Sequence, residues 1–365
     1  MLKKILEGYS LCMVMVELVK FFCGELFSTH FRSRSDIVLN VASSGIASLL
    51  LPGGHTAHSR FAIPIAINED STCNIKQGSP LAQLIVECKL IIWDEAPMMH
   101  KHCFEALDKT MRNLLRFKNP CSLDMTFGGK TVVFGGDFRQ ILLVIPKGAR
   151  QDIVGASINS SYLWKNCKIF RLTKNLRLQH SQDATGYREL EDFVTWIAVV
   201  GDGDIGKATD VDFEISIPQK HLLDSGDDPI TTIVENTFPM FRTTPNEENF
   251  LENRAILAPT LDVVDNINEY MNNLNEAEGR TYLSCNSVCK SDANIDMLSD
   301  LHTPEFLNGI KCSGVPNHSL TLKVGSPVML LRNIDHSLGL CNGTRLIITR
   351  LTRVLLKLKS CVGLM

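Results

Sequence analysis

The chain has 365 residues, more than a single hydrophobic core usually serves, so two domains are expected. With 44% hydrophobic, 21% charged and 7% aromatic residues, its composition is that of a folded globular protein and excludes a disordered or fibrous one. The net charge of -3 excludes an overtly basic nucleic-acid binder, yet it averages two unlike parts: residues 201–252 carry 12 acidic against 3 basic residues, which leaves the remainder at +6.

The apolar run 11–22 contains Glu17 and Lys20 and is too short to cross a bilayer, and Glu7 and Glu17 interrupt the stretch a signal peptide needs. An intracellular protein without membrane association is expected. The 12 cysteines form no C-x-x-C pair, so reduced, mostly buried thiols are expected and zinc is not.

Next, short apolar runs alternate with helical patterns, which predicts an α/β domain with a largely parallel sheet. Strands are expected over 36–42, 89–93, 131–134 and 168–172, and Phe104, Leu107, Met111, Leu114 and Leu115 recur at helical spacing as a core stripe. A helix over 185–200 gives way to Gly201, Gly203, Gly206 and the acidic residues, where a boundary is expected. Beyond it, 254–258 reads as a strand and Val263, Val264, Ile267 and Met271 as one helix face. Strands follow over 320–323, 327–331 and 345–351, with Asn342 and Gly343 as a hairpin-type turn. The basic, apolar end of the chain, from Arg345 to Lys359, is expected to lack strand partners.

Three segments carry chemistry. The run Leu90-Ile91-Ile92-Trp93-Asp94-Glu95 delivers two carboxylates at the C-terminal end of a strand, where open parallel sheets place ligands. One carboxylate can hold Mg²⁺ and the other can activate a water, although an acidic helix cap explains the pair equally well. The second segment, 131–140, ends in Gly135-Gly136-Asp137-Phe138-Arg139-Gln140 and would set Asp137 and Gln140 beside Asp94 and Glu95. A turn built on the two glycines accounts for them but not for the glutamine. The third leads from 168–172 to Arg177, which is either an internal arginine finger or a surface arginine of little energetic weight.

In this order and spacing, the segments resemble the Pif-family helicases, RecD-like members of superfamily one, and the plant and helitron-associated branch in particular. Residues 41–47 with 53–58 are similar to that family's motif Ia, 92–98 to its Walker B, 134–140 to motif III, 170–177 to its signature region, 255–260 with Asn266 and Asn268 to motif IV, and 322–332 with 342–344 to the stretch before motif V. The resemblance implies a RecA-like α/β domain followed by a second, incomplete RecA-like domain with a β-rich insertion. The implied limits are an atypical segment at 1–35, the first domain at 36–200, an acidic linker at 201–252 and the partial second domain at 253–365. It implies ATP and Mg²⁺ as cofactors, with Asp94 on the metal, Glu95 activating water, Gln140 sensing the γ-phosphate and Arg177 stabilising the transition state; Asp137, Gln140 and Arg177 would line the nucleotide. Thr56 and His58 would touch single-stranded DNA, against the alternative that they are local turn and capping groups. Single-stranded DNA and duplex junctions are the implied partners, 5′-to-3′ unwinding the activity, the nucleus the location, and repair, recombination and telomere maintenance the processes.

The chain departs from the family at its phosphate-binding loop, at Leu143, where the family usually has proline, and past Arg350, where motifs V and VI are expected to be missing. A phosphate-binding loop reads G-x-x-x-x-G-K-[ST], and no segment does so here. Gly128-Gly129-Lys130-Thr131 opens a strand instead of a helix and reads as a turn. The strand, loop and first helix of that unit are expected to be excised, which leaves three readings open: an ATP-driven helicase, a catalytically inactive remnant that binds DNA or a partner, and, ranked last, a nucleotide-independent interaction module with the acidic residues 201–252 as its contact surface.

Overall fold

Five mostly apolar runs of five or six residues and one short edge strand pair into one parallel sheet in the computed structural model of the chain. The structure describes residues 12–16, 28–140, 142–171, 184–208, 213–224, 226, 228–239, 241, 254–286, 303–310, 316–335, 337–353 and 356–360. The strands are β1 (Cys12–Val16), β2 (Val38–Ala42), β3 (His55–Thr56), β4 (Leu90–Asp94), β5 (Thr131–Gly136) and β6 (Cys167–Arg171), in the spatial order β3-β2-β4-β5-β1-β6. Every neighbouring pair runs parallel. Parallel pairing requires crossovers, and the local sequence supplies them: Ser79 caps the Pro80–Glu87 helix, whose proline suits a first turn, and the His100 ring caps Lys101–Leu115.

The expected excision of a whole strand-loop-helix unit needs correcting at its strand. Cys12–Val16 lies inside the sheet, hydrogen-bonded to β5 on one side and β6 on the other, and residues 28–32 are helical before β2 begins. The apolar run 11–22 therefore contributes a sheet strand. Periodicity alone did not identify it, because its pairing partners lie more than a hundred residues downstream.

The core is aromatic. Trp93 packs on Phe104 with ring centroids 4.6 Å apart and also meets Phe61 and Phe134, while Phe127 closes against Phe134. All five are fully buried. The stripe Phe104, Leu107, Met111, Leu114 and Leu115 is buried as its spacing predicts. Phe127, Gly128 and Gly129 have positive φ, so Gly128-Gly129 is a turn; the Lys130 ammonium then donates to the carbonyls of Val86 and Cys88, both at 2.6 Å, closing the end of the Pro80–Glu87 helix. A lysine in that position is structural.

The chain divides after Ser216 into two units. In the second, the Pro229–Thr237 and Leu261–Leu274 helices accompany two antiparallel sheets. One pairs Gly279–Leu283 with Ser319–Lys323; the other is ordered Pro327–Met329, Arg345–Leu351, Leu356–Ser360. Two expectations change. Residues 254–258 join no ladder among the described residues, and Arg345–Leu351 has a partner on each side, with Leu346 and Ile348 buried. Among the described residues no helix is long and apolar enough to cross a membrane.

Candidate nucleotide and DNA site

Asp94 is the last residue of β4, and its position is fixed from three directions. Its carbonyl accepts the Ser43 N–H at 3.0 Å, and that serine's hydroxyl accepts the Trp93 indole N–H at 3.2 Å. Its carboxylate Oδ1 accepts the Glu95 N–H at 2.9 Å. On the third side lies Gly135, where an added Cβ would sit 2.8 Å from Asp94 Oδ1. The glycines of motif III are thus not a turn. Both belong to β5, and neither has a positive φ. Gly135 leaves room for the Asp94 carboxylate, and a Cβ on Gly136 would fall 2.1 Å from the Pro97 ring.

Glu95 itself adopts the left-handed region, φ 54° and ψ 38°. For a non-glycine residue this conformation is uncommon and costs about 1 kcal/mol or more. It turns the chain off the strand end into the short 3-10 helix Ala96–Met98, so that both carboxylates leave β4 at the C-terminal edge of the sheet. The neighbouring β5 delivers Asp137 to Gln140 to the same edge. Asp137 shapes that turn: its Oδ1 accepts the Arg139 N–H at 2.9 Å and its carbonyl accepts the Gln140 N–H at 3.2 Å. Gln140 is exposed. Arg177 lies outside the described residues.

Thr56 and His58 stand at the far end of the sheet, on the β3 edge. Thr56 occupies the cap position of the Ala57–Phe61 helix, yet its hydroxyl makes no capping hydrogen bond. His58 is at the surface, and partial desolvation holds its imidazole below the ordinary range, favouring the neutral ring. Two residues on, Arg60 carries no motif signal of its own, although Thr56, His58 and Arg60 occupy alternate positions of one segment. Its Nε is buried with no hydrogen-bond partner among the described residues, and burial lowers the guanidinium pKa.

A parallel sheet with paired carboxylates and a glutamine-bearing turn on its C-terminal edge places polar groups where open α/β folds bind ligands. The family model described as PIF1-like helicase matches residues 19–211, and one described as DNA helicase Pif1, 2B domain, matches 305–351. The chain belongs to the PIF1-like helicase family. The 2B match covers much of the antiparallel, β-rich part of the second unit. The ATP-dependent DNA helicase Pif1 of Psychrobacter sp. (strain PRwf-1) is 25% identical over 317 residues, covering 86% of this chain and 40% of that protein. An uncharacterized protein of Invertebrate iridescent virus 6 is 24% identical, covering 86% of this chain and 54% of its own length. The chain thus spans about half or less of the length of these relatives. The fold is similar to a Bacteroides Pif1 helicase in complex with ADP-AlF3 and ssDNA, with a TM-score of 0.60, 17% identity and coverage of 98% of this chain and 70% of that one. It also resembles a structure of two coordinating Pif1 helicases at forked dsDNA, with a TM-score of 0.58, 20% identity and coverage of 98% and 71%.

Proposed function

We propose that the chain carries the nucleotide edge and part of the DNA edge of an ATP-dependent DNA helicase, of the plant and helitron-associated branch, moving 5′-to-3′ on single-stranded DNA and opening duplex junctions. The observation that carries this reading is the approach of β4 and β5 at the sheet's C-terminal edge, where Gly135 leaves room for the Asp94 carboxylate and Glu95 follows in a strained turn. The oxygen donors there suit a hard divalent cation, and a bound magnesium–ATP would supply a phosphoryl group for transfer to water. Asp94 would hold the metal, Glu95 would orient and deprotonate the water, and Gln140 would sense the γ-phosphate beside Asp137. Arg177 is assigned the transition-state charge by family resemblance alone. Thr56 and His58, with Arg60 added, would line the DNA: the neutral His58 ring suits base or sugar contact, and the Arg60 guanidinium brings positive charge toward the phosphates. Work in nuclear repair, recombination and telomere maintenance follows from the family.

One observation favours a second reading, a remnant that binds DNA or a partner without turnover. No G-x-x-x-x-G-K-[ST] occurs in the chain, so the backbone cradle and lysine that hold the β- and γ-phosphates have no counterpart in its sequence. DNA-stimulated ATP hydrolysis by the purified chain, set against Glu95→Gln, separates the two. Turnover well above that variant establishes the motor; equal rates establish the remnant.

A further inference from the structure

We propose that Arg139 is a positioning residue for the motif III turn, and that it works by clamping this turn to the C-terminal end of the Ala184–Asp202 helix. The inference rests on the reading of Gln140 as γ-phosphate sensor. The turn at 137–140 begins where the β5 ladder ends, so the sheet does not hold it. Phe138 and Arg139 tie it to the outside: Phe138 packs edge-on against Trp164 with ring centroids 5.9 Å apart, and Arg139 makes a fork, its Nε donating to Asp202 Oδ1 at 2.6 Å and a terminal guanidinium nitrogen to Asp202 Oδ2 at 2.7 Å. Two parallel bonds fix orientation as well as distance, which an ammonium cannot do.

The receiving end is built for the arginine. Asp202 is the last residue of its helix, and Gly203 at φ 76° ends it: the Gly203 N–H bonds the Val200 carbonyl and the Asp204 N–H bonds the Val199 carbonyl, the paired pattern of a Schellman stop. This presents the Asp202 carboxylate from a rigid helix end, where the helix dipole also favours a cation. Gly201 makes room for the arginine stem, since a Cβ there would lie 2.9 Å from Arg139 Cβ and 3.1 Å from its Cγ and Cδ. Both charged side chains remain about a third or more exposed, so the pair adds little to global stability. Its effect is geometric: it sets the turn that carries Gln140, the next residue. The Asp137 carboxylate holds the same turn from within, through the Arg139 N–H.

The test uses the full chain with Arg139→Ala, Arg139→Lys and Asp202→Ala, and the exchanged pair Arg139→Asp with Asp202→Arg. Amide hydrogen exchange across 137–140 should speed up about tenfold in each single variant, with the melting temperature unchanged to within about 2 degrees, and return toward the parent rate in the exchanged pair. If the parent chain hydrolyses ATP, kcat should fall about tenfold in the single variants while KM stays within about twofold, the mark of a mispositioned group as opposed to lost binding. Unaltered exchange in Arg139→Ala and Asp202→Ala overturns the clamp, and so does faster exchange with unchanged kcat. A parent chain without turnover defeats the ATPase reading instead; the clamp then stands or falls on exchange and on rescue by the exchanged pair.

Discussion

Gly136 shows how one atom can govern the meeting of two motifs. Alanine there would drive its Cβ to 2.1 Å from Pro97 Cδ, and a proline ring held inside the 3-10 helix Ala96–Met98, directly after the strained Glu95, has little freedom to retreat. We expect Gly136→Ala to destabilise the first unit by about 2–3 kcal/mol, as overpacking of a close-packed site does. Gly155 supplies the comparison. It lies in the Arg150–Ala156 helix with nothing within 4 Å of an added Cβ, so Gly155→Ala should stabilise by about 0.5–1 kcal/mol through helix propensity. Urea titrations of the two variants check both signs; a neutral Gly136→Ala would mean that the Walker B segment yields where the packing says it is fixed.

Among the elements, the Lys101–Leu115 helix is joined to the turns around it by buried carboxylates. Glu105 accepts from the Ser161 hydroxyl and pairs with His102 Nδ1, each at 2.6 Å, linking the helix to the short turns before β6. Burial alone would raise the Glu105 carboxyl, but the hydrogen bonds from Ser161 and His102, aided by the charges of His102 and Lys101, outweigh it and hold the group below the ordinary range. A depressed carboxylate stabilises the fold above its unfolded value of 4.5, and that contribution is lost as pH falls through the lower folded value. Glu105→Gln should therefore lower stability at neutral pH and flatten the decline of stability below pH 4.5 in acid-titrated melts; an acid limb as steep as the parent's would refute the assignment. The Ser161 half of this tie is not legible in sequence, because Glu105 and Ser161 are 56 residues apart. The strands β2, β4, β5 and β6 and the core helix are legible, since apolar runs and helical spacing are local signals. So is the strand-end position of Asp94 and Glu95. The strand at Cys12–Val16, the strand placement of Gly135 and Gly136 and the Arg139–Asp202 fork are not, for each is settled by a partner far along the chain.

The whole molecule is unequally packed. The buried cluster of the first unit runs continuously from Leu39 to Leu163 and includes Trp93, Phe104 and Phe134. In the second unit the described core is smaller and divided: Phe238 and Phe241 are buried against Ile256, Met271 and Leu274, Leu322, Cys341, Leu346 and Ile348 are buried in the β-rich part, and the Leu261–Leu274 helix has no fully buried residue. Apolar burial is the main stabilising term, worth about 25 cal/mol per Å², so the two units should differ in stability and unfold separately. Composition makes this measurable. All three tryptophans, Trp93, Trp164 and Trp196, fall in the first unit, so tryptophan fluorescence reports that unit alone, whereas far-UV circular dichroism also reads the helices of the second. In urea the dichroism signal should begin to fall at lower concentration than the fluorescence, giving two transitions by dichroism and one by emission. Superimposable curves would mean that the units unfold as one cooperative body, and that the second is held by contacts its own small core cannot supply.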